Sequence, residues 1–345
     1  MENFLYINGI TQGFFAPRGY YRSPEGAKST EELIATGVNF VALVVNQFQE
    51  TVGSTRIFPD NRLTVDDDEL IFQIKCLQNA GIRVMLKPMI DPFDSLWRGF
   101  IAHHCGNIFA DIHTDNLTPW FESYRVMLCR YADVAEAAGC DMYCIGCELD
   151  GMERWNREKW EETIRQVRKH YSGLLTYNLN RNITDLEDDR KWFAMLDIVG
   201  VSGYYEVVPA DRSSTLDEMI EGWIPFRDKL EKFSKWIGKP VFFAETGTRP
   251  VAGAGGITGG FGMKSNVYSP QEQADYFTAM HTVLKDEPWF YGIVWWKHDE
   301  FQYRPQYYLP DGNYVGCEPA PLLRQRMKNL GKSALPPKAA IYPEK

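Results

Sequence analysis

Pro240-Val241-Phe242-Phe243-Ala244-Glu245 is a short apolar run that ends in an acid. Short β-branched or aromatic runs of this kind recur from one end of the chain to the other, separated by longer amphipathic segments. That alternation is the pattern of repeated βα units around a parallel sheet. Eight strands are predicted: Leu5–Thr11, Phe40–Val45, Arg83–Pro88, Met142–Cys147, Leu174–Asn178, Ile198–Ser202, Val241–Glu245 and Gly292–Trp296.

Helix starts fall between them. Ser29-Thr30-Glu31-Glu32 reads as a capping box, and Thr64 followed by Asp66, Asp67 and Asp68 opens another helix with negative charge at its positive end. That acidic run is read as capping, not as a metal site. Ser269-Pro270-Gln271-Glu272 starts a third helix with proline in its first position. Eight strands with helical returns close into a single (β/α)8 TIM barrel, whereas a doubly wound sheet usually offers a glycine-rich phosphate loop after its first strand. The sequence has no such loop there. Gly253-Ala254-Gly255-Gly256-Ile257-Thr258-Gly259-Gly260 follows the seventh strand, and Thr258 stands where a dinucleotide fingerprint needs its last glycine. The stretch is read as a mobile loop beside the site or as a disordered surface loop. One domain accounts for all 345 residues, with the barrel over about 4–330 and an irregular tail over 331–345.

With 44% hydrophobic and 24% charged residues, and no apolar run of membrane-spanning length, the chain reads as an ordinary globule. A net charge of -9 disfavours nucleic acid and anionic membranes as partners. Ten Trp and 18 Tyr suit the flat faces of sugar rings, though core packing uses aromatics as well. The seven cysteines are odd in number, and Cys76, Cys140, Cys144 and Cys147 fall in or near predicted elements, so reduced buried thiols are expected. Strand alternation would turn Cys147 away from Cys140 and Cys144, which argues against zinc. No metal or organic cofactor is expected. No basic and apolar leader precedes Phe4-Leu5-Tyr6-Ile7, and a cytoplasmic location is the expectation.

In such a barrel the chemistry gathers where strands end, because the βα loops there form the open mouth. Glu148 closes the fourth strand and Glu245 the seventh. One acid ending an apolar run is explained by a salt bridge; two, on strands four and seven, point to catalysis. A pair of carboxyls across a mouth suits glycoside hydrolysis, in which one protonates the leaving oxygen and the other attacks the anomeric carbon. Other chemistries fit less well. Gly200-Val201-Ser202-Gly203 lacks one residue of a nucleophile elbow, the adjacent His103 and His104 cannot face one ion, and no His-Glu-x-x-His occurs. Lys87 ends strand three where a Schiff-base lysine would sit, but Pro88 follows and no phosphate loop is evident, so an ion pair or a substrate hydrogen bond is the better reading.

Several segments together carry a family likeness: Val44-Val45-Asn46-Gln47, Val84-Met85-Leu86-Lys87-Pro88, Trp97-Arg98-Gly99, Ile145-Gly146-Cys147-Glu148-Leu149, Gly200-Val201-Ser202-Gly203-Tyr204-Tyr205, Phe243-Ala244-Glu245-Thr246-Gly247 and Gly292-Ile293-Val294-Trp295-Trp296. In this order they resemble the retaining (β/α)8 glycosidases and, among them, glycoside hydrolase family 113, the β-mannanases. The resemblance implies Glu148 as acid/base and Glu245 as nucleophile, acting on β-1,4-linked mannose in mannan or manno-oligosaccharides. It also implies a departure, since most of the wider clan carries Asn before the acid/base to hold the sugar 2-hydroxyl and this chain has Cys147. The axial 2-hydroxyl of mannose makes a different contact there reasonable. A same-clan β-glucanase or β-mannosidase, or a non-catalytic glycan-binding barrel, are the alternatives.

Substrate-binding candidates follow from position. Tyr204 or Tyr205, past strand six, is placed to donate to Glu245, and alternation sends just one of Trp295 and Trp296 inward as a sugar platform. Gln47, Lys87, Trp97, Arg98 and Asn178 lie near strand ends, and Asp91, Asp94 and His298 are weaker candidates.

Overall fold

The computed structural model describes residues 4–103, 115–154, 156–183, 188–259, 267–300, 307–333, 335–339 and 341. Eight parallel strands close into a barrel in chain order: β1 Ile7–Gln12, β2 Phe40–Gln49, β3 Arg83–Pro92, β4 Met142–Cys147, β5 Leu174–Leu179, β6 Val199–Ser202, β7 Val241–Thr246 and β8 Phe290–Trp295. Closure runs from Ile7 opposite Gly292 to Ile10 opposite Trp295. The expected (β/α)8 TIM barrel is therefore the fold. Two strands are longer than the sequence suggests. β2 and β3 pair without a break from Phe40 opposite Arg83 to Gln49 opposite Pro92, which lifts their ends above the rest of the rim.

Side-chain alternation makes two cores. Ile7, Phe40, Ala42, Met85, Met142, Cys144, Leu174, Phe242, Ala244 and Val294 fill the barrel itself. Their neighbours in sequence, such as Val41, Leu43, Val84, Leu86, Tyr143, Leu175 and Phe243, face the helical ring. Below the barrel, Phe4–Leu5 pairs antiparallel with Pro337–Lys338, and Phe4 and Ile341 pack onto the inner core. Leu5 thus belongs to this ribbon and not to β1, and part of the tail is a strap across the floor.

The ring contains α1 Pro24–Ile34, α2 Asp67–Asn79, α3 Leu117–Ala138, the short α4 Asp150–Glu153, α5 Arg157–Val167, α6 Leu216–Ile237, α7 Pro270–Leu284 and α8 Pro321–Lys332. Two start signals sit elsewhere than expected. α1 begins at Pro24, with the Ser23 hydroxyl accepting from the Gly26 amide; Ser29 and Thr30 lie inside the helix and bond His298 and the Gly26 carbonyl. Proline at the first position is the stronger signal, because its missing N–H removes nothing the helix would use. For α2 the cap is Asp66, which accepts from the Glu69 amide, while Thr64 donates to the Asn46 carbonyl. α7 starts after Ser269 with Pro270 first, as read.

Over Gly253–Thr258 the glycine stretch is buried, not a loose surface loop. Ala254–Gly256 form a buried 3-10 turn behind a left-handed Gly253. A Cβ on Gly256 would sit 2.5 Å from the Val208 carbonyl oxygen, so the glycines permit close packing against the β6–α6 loop. Gly260 lies outside the described residues.

Candidate active site

Both predicted carboxylates reach the mouth through local breaks in strand regularity. In β4 the register against β5 shifts between Cys144 and Cys147. Gly146 lies against the outer layer, where a Cβ would stand 2.5 Å from the Tyr177 ring and 2.6 Å from the Tyr124 hydroxyl. The bulge therefore turns Cys147 inward, beside Val44 and Met89, and corrects the alternation argument: Cys144 and Cys147 share the barrel side, while Cys140 belongs to the outer core. Glu148 follows with a left-handed backbone, φ 51°, rare for a residue with a Cβ. Its amide donates to the Asn178 carbonyl at 2.8 Å, and the Leu149 amide to the Tyr177 hydroxyl at 3.0 Å, so β5 holds the unusual turn. A register shift between β6 and β7 brings Ser202 opposite Glu245 and turns that acid inward too.

Glu245 is 4% exposed and meets a cation. Lys87, fully buried on β3, places Nζ 2.5 Å from Glu245 Oε1 and 2.7 Å from Asn178 Oδ1. Burial alone would lower the Lys87 pKa; Cys147 and Glu245 beside it outweigh that, and the net direction is up. Tyr204 donates to Glu245 Oε2 at 3.1 Å, and Cys147 Sγ lies 3.3 Å from Oε1. Burial, then the Glu245 charge, pushes the Tyr204 phenol well above its ordinary range, so it remains a donor. Glu148 has softer company. Ser202 donates to its Oε1 at 2.6 Å and the Trp97 indole N–H to its Oε2 at 3.3 Å. Burial, and next the Glu245 charge, raise the Glu148 pKa above the usual carboxylate range, against the opposing pull of Arg98, Ser202 and Lys87. Two neighbouring carboxyls in such unequal settings are the equipment of an acid and a nucleophile.

Comparison with known proteins agrees with this chemistry. The sequence model of glycoside hydrolase family 113 matches residues 10–316. The chain belongs to glycoside hydrolase family 113. It is a glycoside hydrolase. A family 113 β-1,4-mannanase structure is 28% identical and superposes with a TM-score of 0.82, over 97% of this chain and 100% of that one. The β-mannanase AaManA from Alicyclobacillus acidocaldarius, in complex with ManMIm, is 29% identical with a TM-score of 0.79, over 94% and 97% of the two chains. A β-D-glucuronidase from Dictyoglomus thermophilum shares the fold alone, at 14% identity and a TM-score of 0.59, with this chain spanning 52% of its length. No curated protein matches the sequence.

The remaining site residues of this family 113 glycosidase divide cleanly. Lys87, Asn178, Tyr204, Trp97 and Arg98 converge with the two acids. Arg98 forks onto Asp91 at 2.7 and 2.9 Å and donates to the Ile90 carbonyl, which fixes it over Cys147. Trp296 packs into the mouth against Phe14, ring centroids 5.0 Å apart, above Val44, Met89 and Cys147. Trp295 is fully buried in the outer core, its indole N–H on the Cys317 carbonyl. Tyr205 likewise turns outward, stacking on Phe226 at 4.5 Å. Gln47 is a further correction: it points to the outer layer and donates to the Tyr131 hydroxyl at 2.7 Å, because β2 keeps its alternation and Val44 is the inward neighbour. Asn46 takes the inward place and donates to the Phe14 carbonyl. Asp94 caps the Val52 and Leu96 amides on the rim, and His298 bridges Ser29 and Glu318.

Sequence reasoning missed two groups. Ser202 was weighed only as a nucleophile and serves Glu148 instead. Lys297, buried, pairs with Asp299 at 2.7 Å and Glu300 at 3.0 Å just past Trp296, a signal visible as three charged residues within four positions after β8.

Proposed function

We propose that this hydrolase cleaves β-1,4-mannosidic linkages in mannan or manno-oligosaccharides with net retention, Glu148 acting as acid/base and Glu245 as nucleophile. The observation that carries the assignment is the unequal setting of the two carboxyls. Glu245 is held by Lys87 and Tyr204, groups that stabilise a carboxylate. Glu148 sits among neutral donors with its proton affinity raised, as a general acid requires. In the first step Glu245 attacks the anomeric carbon as Glu148 protonates the departing oxygen, which leaves a glycosyl ester on Glu245. In the second, Glu148 takes a proton from water, which attacks the same carbon and frees Glu245.

Mannose as the sugar is supported by the family 113 structures, which are named as β-1,4-mannanases. Cys147 supports it from within the site. A thiol beside Glu245 stands where most of the wider clan carries an amide for the 2-hydroxyl, and the axial 2-hydroxyl of mannose accounts for a different contact there. Trp296 and the half-exposed Trp97 present aromatic surface to apolar sugar faces. Product analysis on manno-, gluco- and xylo-oligosaccharides of matched length tests the sugar. Hydrolysis of the manno series with first-formed products of the β anomer is expected; preference for another series, or an α product, would overturn the proposal.

A further inference from the structure

A hydrogen-bonded chain joins the two carboxyls through the barrel interior, and its direction is fixed by chemistry. Lys87 is an ammonium and can only donate, so the atom of Asn178 that faces it at 2.7 Å must be the carbonyl oxygen. That turns the Asn178 amide nitrogen toward Ser202, where it donates to Oγ at 2.8 Å. The Ser202 hydroxyl has one proton, and among the described residues the remaining partner of Oγ is Glu148 Oε1 at 2.6 Å. Lys87, Asn178 and Ser202 are each fully buried, so water does not compete for these bonds. With every link pointing the same way, Glu148 Oε1 is always an acceptor.

We propose that Ser202 is a positioning residue which, oriented by Lys87 through Asn178, confines the acid proton of Glu148 to Oε2. This rests on the acid/base role assigned above. Oε2 is the oxygen on the Trp97 side, and the Trp97 indole N–H at 3.3 Å solvates it once the proton has left. The same ion pair that holds the nucleophile thereby selects the acid's reactive oxygen. The charged and titratable groups facing Glu148 are Lys87 on β3, Arg98 after it, Cys147 beside it, Glu153 on α4, Tyr204 past β6 and Glu245 on β7. Removal of the Ser202 hydroxyl takes none of these groups away.

The direction of the bond sets the sign of a measurable effect. If Ser202 donates to the carboxylate, its loss destabilises the charged form of Glu148 and the proton leaves at higher pH. If Glu148 donates to Ser202, the loss destabilises the neutral acid and the proton leaves at lower pH. The experiment is the pH profile of kcat/KM for Ser202→Ala and Ser202→Thr on a manno-oligosaccharide. Ser202→Ala should move the alkaline limb up by about one pH unit, with Ser202→Thr at the wild-type position. A limb that moves down, stays still, or moves alike in both variants would overturn the proposal. Glu148→Ala on a dinitrophenyl glycoside separates this from the underlying role: spared turnover there keeps Glu148 as the acid, whatever Ser202→Ala shows, and equal loss on both substrates removes it.

Discussion

The ends of β4 and β7 carry the same side chain and treat it in opposite ways. At β7, Glu245 lies in a slot lined by Lys87, Tyr204 and Cys147, with a cation in direct contact. At β4, Glu148 rises on a left-handed turn to meet a serine and an indole, while the nearby Arg98 is occupied by Asp91. Residue type therefore decides nothing about role; the neighbours do. A glutamate against a fully buried lysine has its charge countered by direct contact. One that meets only neutral donors and feels its partner's charge holds a proton longer, and can pass it on.

The contrast is broken most severely at its charged end. Glu245→Ala should cost turnover on the order of 10⁴-fold or more, and added azide should restore it with an α-glycosyl azide as product. Wild-type turnover in this variant would remove the nucleophile assignment. Lys87→Met sharpens the comparison next, because it strips the cation and leaves a buried charge behind. Loss of one partner of such a pair costs about 3–5 kcal/mol of stability, and denaturant unfolding measures it. If stability is unchanged, the ion pair is not what holds the slot. The smallest effect separates two adjacent tyrosines. Tyr204→Phe should lower kcat about tenfold or somewhat more, the value of one hydrogen bond to a charged group, whereas Tyr205→Phe should leave kcat unchanged, since among the described residues its hydroxyl meets the Arg181 carbonyl alone, at 3.3 Å.

The barrel was legible because its signal is repeated. Each of the eight strands is a short apolar run, three of them with a recognisable helix start behind them, and an error in one, such as the Leu5 boundary, leaves the rest intact. The two acids were legible for a related reason: each ends such a run, where an unpaired charge is costly. Orientation was harder. Alternation correctly divides Trp295 from Trp296 and, applied to β2, would have chosen Asn46 over Gln47. It fails at Cys147, where the bulge beside Gly146 adds a residue and reverses the face. Such a bulge depends on Tyr124 and Tyr177 from other elements crowding the strand, and no local stretch of sequence announces that. The part Ser202 plays beside Glu148 is not legible locally, because it depends on Asn178 and Lys87, residues 24 and 115 positions away in the chain.

The left-handed backbone at Glu148 sets ease of folding against turnover. At φ 51° a glycine or an asparagine would rest more easily than a glutamate. Glycine there would ease the backbone and remove the side chain that carries the proton, so at this one position a more comfortable chain and a working acid exclude each other.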